Sequence, residues 1–238
     1  MTAINTNAGA LNARASAVSA TAKMERAMER LSSGVRVNSA ADDAAGLAVA
    51  GKMESQLRGI NMSIRNAQDG VGLIQTAESG LNEIRNMVLR IRELAVQMAN
   101  GIYENTPDRS NAQLEVTALI DQVTLIAENT RFNDVAVLDG SFTGVTIQAG
   151  NTTAETITLS FVDVASSGLS IDTATVATQS DATVAMGTMD TALETISQEQ
   201  AKFGSLINRL NYSIANQSNA SVMTEQAIGR VMDADFAA

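Results

Sequence analysis

Fourteen apolar positions between Met53 and Met98 recur in steps of four and three, alternating except for two successive threes at Val71, Ile74 and Ala77. They are Met53, Leu57, Ile60, Ile64, Ala67, Val71, Ile74, Ala77, Leu81, Ile84, Val88, Ile91, Ala95 and Met98. At 45% hydrophobic content, such a run has a chance of roughly 10⁻⁵ per window. A repeat of this kind marks a helix whose apolar stripe faces a partner helix in a left-handed supercoil. At the α-helical rise, the stretch predicts a rod of about 70 Å. A rod of that length cannot cover its own stripe, so other segments must run beside it.

The same spacing returns near the end of the chain. Met186, Met189, Leu193, Ile196, Gln200, Phe203, Ile207, Leu210, Ile214, Gln217, Ser221, Thr224, Ile228 and Val231 form a second seam, with its polar members mostly late. Between the seams, Asn100-Gly101 and Pro107 end the first long helix. A shorter helix is predicted over 110–129, with Leu114, Val116, Leu119, Ile120, Val123, Ile126 and Ala127 as its apolar residues. The short connection makes it antiparallel to the first.

The period then changes to two. Val145, Ile147 and Ala149 alternate, as do Ile157, Leu159 and Phe161, across Gly150-Asn151-Thr152-Thr153. This predicts a β-hairpin at about 143–162. Residues 163–184 are rich in Ser, Thr, Ala and Asp and are read as loop plus a short helix. Gly59, Gly70, Gly72 and Gly80 lie off the first seam, each costing about 1 kcal/mol in a helix interior. They mark either close approach of another backbone or a tolerated cost.

At the N-terminus, residues 8–33 read as an Ala-rich helix with little packing area of its own, stopped by Gly34. Val35 to Ser39 reads as extended. Asp42 and Asp43 sit where the next helix begins, at the favourable end of its dipole. The fold class is therefore mainly α: an elongated antiparallel helical bundle or coiled coil, two long helices plus one shorter, with a small β-hairpin region at one end.

Composition narrows the chemistry. There is no Cys, His or Trp, so disulfides, thiol catalysis, His-based triads and His or Cys metal sites are excluded. The pairs Asp42/Asp43 and Asp233/Asp235 lack the spacing of a Ca²⁺ loop. No cofactor or metal is implied. A net charge of −10 argues against nucleic acid as a partner. No run is apolar enough to span a membrane, and Met1 to Ala20 lacks the apolar core of a secretory signal.

Several motifs, in order, resemble bacterial flagellin. They are Ile4-Asn5-Thr6-Asn7, Glu29-Arg30-Leu31-Ser32-Ser33-Gly34-Val35-Arg36-Val37-Asn38-Ser39-Ala40, Asp42-Asp43-Ala44-Ala45-Gly46, Arg65-Asn66-Ala67-Gln68-Asp69-Gly70, Val88-Leu89-Arg90-Ile91-Arg92-Glu93-Leu94-Ala95-Val96-Gln97 and Asn129-Thr130-Arg131-Phe132-Asn133. The resemblance covers about residues 1–160 and 186–238. It implies an inner-tube helix and spoke over 1–44, a rod-shaped outer-tube domain over 45–222, and the start of a C-terminal inner-tube segment over 223–238. Family members continue past a segment like Gly229–Phe236 into a helix that pairs with the N-terminal one. Without it, the chain alone is expected to stay monomeric, with residues 1–40 mobile.

The resemblance further implies a self-assembling structural subunit of the flagellar filament with no catalytic activity. It would be exported without a cleaved signal peptide and be extracellular. Its partners would be other flagellin subunits, the export apparatus, and cap and junction proteins. Arg90 and Leu94, four apart and off the seam, are expected to share an outward face. That face would contact stacked subunits and, with Glu115 on the next helix, the animal innate-immune flagellin receptor. The alternatives are a hook–filament junction protein and a cell-surface polysaccharide binder.

Overall fold

A computed structural model describes residues 7–234 of the 238. In chain order it contains α1 (Ala8–Ser33), α2 (Ala44–Met98), an irregular turn (Asn105–Arg109), α3 (Ser110–Asn129), β1 (Arg131–Phe132), β2 (Val135–Ala136), β3 (Val145–Gln148), β4 (Thr156–Leu159) and α4 (Gln179–Met232). The predicted helices at 8–33 and 110–129 and the predicted hairpin appear as read. No separate helix forms within 163–184. Residues 163–178 are irregular, and 179–184 are the first turns of α4. The irregular stretch is not a surface loop, because Val164, Ile171 and Val176 are fully buried. α3 ties it down through Gln113, whose side-chain oxygen accepts from Thr175 Oγ1 at 3.0 Å and Val176 N at 2.7 Å.

The chain divides into two compact units, one of residues 62–218 and one of residues 1–61 with 219–238. In the larger unit, α2 and α4 run antiparallel. Arg92 bonds Asp190 at 2.6 Å and Asn82 bonds Gln200 at 2.7 Å, so rising positions on α2 meet falling ones on α4. Ile74, Leu81, Ile84, Val88 and Ile91 have no exposed surface. On α4, Met189, Ile196, Phe203 and Leu210 are buried, but their companions are Ala182, Ala185, Ala192, Glu199 and Leu206. Leu193, Ile207 and Ile214 are only half-buried. The second seam therefore lies one column over from the sequence reading. Alanines and a carboxylate fill that column and give it no hydropathy signal.

Burying each large aliphatic side chain in this core stabilises by roughly 1.5–3 kcal/mol. The hairpin β3–β4 closes the core with Val145 opposite Leu159 and Ile147 opposite Ile157. Phe161 stacks on Phe142 at 4.9 Å between ring centres and meets Phe203 of α4 edge-on at 4.7 Å. A smaller hairpin, β1–β2, was not evident in the sequence. Its turn residues Asn133 and Asp134 both have positive φ, 50° and 63°. That is the backbone a tight two-residue hairpin turn demands, and Asn and Asp tolerate it.

In the smaller unit, α1 starts on an Asn7 cap and ends on Gly34 at φ 74°. It has no buried residue. The segment after it lies extended against the end of α4. Val35 pairs antiparallel with Asp233, Arg36 N donates to Met232 O at 2.6 Å, and Ala234 N donates to Gly34 O at 3.1 Å. Val37 is buried below. Asp43 caps α2 by accepting from Gly46 N at 2.8 Å. Asp42 accepts from the Ser39 hydroxyl at 3.1 Å and from the Ser39 and Asn38 amides at 3.2 and 3.3 Å, with Arg30 at 3.5 Å. Asp235, its counterpart in the second acidic pair, lies outside the described residues.

The helical glycines separate by what faces them. At Gly80, an added Cβ would sit 2.6 Å from Thr130 Oγ1 and 2.9 Å from Leu138 Cδ1. At Gly70 it would meet Ile147 and Leu210 at 3.4 Å, and at Gly72 only Phe132 at 3.8 Å. Side chains, not another backbone, come close at these positions.

Two outcomes follow. Gly72→Ala should raise stability by up to about 1 kcal/mol through helix propensity, whereas Gly80→Ala should lower it by about 1–3 kcal/mol through overpacking. Urea titrations monitored by helical circular dichroism would read both, and the same sign at both sites would contradict this packing. Asp42 is held below its ordinary value of 3.8, first by the Ser39 hydroxyl; burial opposes this next, and the Asn38 and Ser39 amides and then Arg30 add to the lowering. Its stabilisation is complete above 3.8 and is lost as pH falls through the lower folded value. An NMR titration following the Asn38 and Ser39 amides should find a midpoint below 3.8. A midpoint at or above it would remove Asp42 as the hub of this connector.

Candidate subunit interface

Arg90 and Arg92 flank the buried Ile91 and face opposite neighbours of α2. Arg92 reaches α4 at Asp190, as above. Arg90 Nε donates to Glu115 Oε1 of α3 at 2.9 Å, and its Nη1 donates to Glu93 Oε2 on its own helix at 3.3 Å. Both arginines are held even more firmly protonated, Arg90 chiefly by its hydrogen bond to Glu115 and Arg92 chiefly by that to Asp190. Arg90 and Glu115 are about half exposed. Exposed pairs contribute little to stability. Their effect here is to fix a charged pattern, one cation between two carboxylates, on the outer surface of α2 and α3.

Leu94 does not share that surface. It is 4% exposed and belongs to the core. The outward reading treated α2 as having one buried stripe. A second column, Leu73, Gly80, Met87 and Leu94, repeats every seven residues and is also covered. α2 has two helical neighbours and needs a wider apolar face than a two-stranded seam. Leu114 differs in the other direction. Read as core, it is 70% exposed and stands beside Glu115, with Leu125 three turns on at 53%.

The α2–α3 connection that brings Glu115 to Arg90 is organised by Arg109, which sequence reasoning missed. Its guanidinium is 3% exposed and donates to Met98 O, Asn100 O and Asn105 Oδ1, each at 2.9 Å, and to Tyr103 O. These include a terminal carbonyl of α2, where the helix dipole is negative. Among the described residues, no carboxylate pairs with it. An arginine in a polar turn gives no warning in the sequence that it will be buried. Glu199 was missed for a similar reason. It is 3% exposed, accepts from Val162 N and is met by Lys202 at 3.3 Å. Among the described residues, no group of acidic side chains is arranged to hold a metal, and no helix is long and apolar enough to cross a membrane.

Long helices packed through heptad columns, with a patterned charged and apolar outer face, define a structural subunit built to associate with others. Residues 4–143 match the bacterial flagellin N-terminal helical region, and residues 186–238 match the bacterial flagellin C-terminal helical region. The chain belongs to the bacterial flagellin family. It is 37% identical over 238 residues to a flagellin of Halalkalibacterium halodurans, covering 98% of this chain and 86% of that one. The crystal structure of Bacillus cereus flagellin superposes with a TM-score of 0.58 at 32% identity, over 64% of this chain and 88% of that chain. A protein from Vibrio parahaemolyticus described as flagellar hook-associated shares the fold, with a TM-score of 0.67 over 81% of this chain and 100% of that chain. At 13% identity, that likeness shows the fold alone.

The chain is thus a structural subunit of the flagellar filament, an extracellular assembly of flagellin subunits. The family is structural and not enzymatic, and neither alternative reading is favoured.

Replacing Arg109 by Ala should lower stability by about 2–4 kcal/mol, because the carbonyls at the end of α2 lose a buried charged donor. Arg109→Lys should recover less than half, since an ammonium lacks the planar fork. Urea denaturation would measure both, and a wild-type midpoint for Arg109→Ala would show that water replaces the clamp.

Proposed function

We propose that the outer face of α2 and α3 around Arg90, Glu93, Leu114 and Glu115 is where a neighbouring subunit stacks in the filament. The observation that carries this reading is the Arg90–Glu115 pairing at 2.9 Å, next in sequence to a leucine that is 70% exposed. The charged pair is directional and the leucine supplies area to bury, which together suit a repeating contact. The same pairing supports reading Glu115 as the residue that completes the surface for an innate-immune flagellin receptor. Export through the flagellar channel, and contact with cap and junction proteins at the filament ends, belong to the same reading. So does cover for α1, whose stripe of Leu11, Ala15, Val18 and Ala22 is supplied by a helix of the inner tube.

Charge reversal separates a stacking surface from internal architecture. Incorporation onto flagellin filament seeds should fall at least roughly tenfold for Arg90→Glu, with helical content unchanged. The double variant Arg90→Glu with Glu115→Arg restores the internal pair but presents the inverted pattern outward. Continued failure of that variant is the expected result. Full recovery by it, or wild-type incorporation of the single variant, would remove this face from the contact.

A further inference from the structure

Asn100-Gly101 is the chain's one Asn-Gly step, and it lies in the exposed turn after α2. We propose that Asn100 is a site of spontaneous, intramolecular loss of its side-chain amide, which places a carboxylate beside the buried Arg109. In this reaction the Gly101 backbone nitrogen attacks Asn100 Cγ. The new N–Cγ bond closes a five-membered imide while the Cγ–Nδ2 bond breaks, and the proton lost from Gly101 N leaves with Nδ2 as ammonia. Water then opens the imide at either carbonyl, giving aspartate or its isomer with the backbone routed through Cγ. No oxidant, reductant or enzyme is needed, and the chain gains one negative charge.

The geometry favours each part of the step. Ile102 N donates to Asn100 Oδ1 at 3.3 Å, so the side chain folds over the peptide that follows it. This brings Cγ towards the attacking nitrogen and places a donor on the oxygen where negative charge develops. Among the described residues, Gly101 N donates to no protein acceptor and Asn100 Nδ2 donates to none. Gly101 has no side chain to hinder approach. Arg109 Nη2 already lies 2.9 Å from Asn100 O, a position that becomes the free carboxylate in the isomerised product. A buried cation that faces only neutral oxygens thereby acquires an anion.

Other steps of related type lack this arrangement. At Asn38-Ser39 the attacking nitrogen is occupied, because Ser39 N donates to Asp42. Asp69-Gly70 lies within α2, where the backbone is committed to the helix. Asp139-Gly140 has a similar turn, with Ser141 N donating to Asp139 Oδ1 at 3.0 Å. There, hydrogen bonds from Ser141 hold the carboxyl in its ionised, poorly electrophilic form.

The test is timed incubation of the purified chain at mildly alkaline pH, native and in urea, followed by peptide mapping that distinguishes amide, aspartate and isoaspartate. The expected result is conversion at Asn100 ahead of Asn38 and Asp139, at a native rate at least equal to that in urea. Gly101→Ala should slow conversion roughly tenfold. That variant fits the fold, because its Cβ would meet only Gln179 at 3.5 Å or beyond. A native rate well below the urea rate, or conversion at Asn38 or Asp139 first, would overturn the proposal.

Discussion

α2 has to be buried on two sides at once, and most of the larger unit follows from that. One column of its side chains, Ile74 through Ile91, is buried in the core, while Leu73, Gly80, Met87 and Leu94 form a second column at the same repeat. At the α3 end of that second column, Thr130 and Leu138 come within Cβ distance of Gly80. A helix with an apolar face this wide is not stable as a two-stranded coil, because half of the face would remain in water. It demands a third helix and a cover for the end of the groove. α3, the hairpins and the buried irregular stretch with Val164, Ile171 and Val176 supply them.

Apolar columns set which faces meet but specify register weakly, since a heptad slip presents a similar stripe. Polar links remove that freedom. Arg92 with Asp190 and Asn82 with Gln200 fix α2 against α4. Arg90 with Glu115 fixes α2 against α3. Ser213 and Gln217 of α4 donate to Ala149 O at the hairpin, and Asn66 of α2 donates to Gln148 O. Each link sits at the rim of a column, where its cost in desolvation is small and its geometric demand is high. Arg109 is the exception. It is buried, and it acts on the end of α2 and the turn rather than on register.

The sequence made some of this legible for physical reasons. Large aliphatic residues at helical spacing announce a stripe, so α2 and its main column could be read directly. Gly34, Asn100-Gly101 and Pro107 announced where helices stop. The misreadings occur where burial is not carried by large apolar residues. The deepest column of α4 contains Ala182, Ala185, Ala192 and Glu199, and hydropathy favours the neighbouring Leu193 and Ile207. Leu94 was placed outward because a two-partner seam leaves no room for it. Leu114 was placed inward because nothing in a single sequence marks an exposed leucine. The resemblance grouped Arg90 with Glu115 on one face but did not pair them, since residues on different helices have no common period; the pairing appears only in the structure.

The smaller unit is held differently. α1 has good signals at both ends, an Asn cap and a left-handed glycine, yet not one of its 26 residues is buried. Caps satisfy terminal backbone groups but do not replace tertiary burial, and an isolated helix of this composition is marginal in water. Leu11, Val18, Met24, Met28 and Leu31 each expose more than half of their surface. Isolated exposed leucines are ordinary, but five large apolar residues on one helix with none buried are not. By contrast, the connector that follows is fixed by backbone pairing to α4 and by four groups converging on Asp42. The fold thus fixes the base of α1 firmly and leaves its flank open, the distribution of order expected of a segment that completes its packing only inside an assembly.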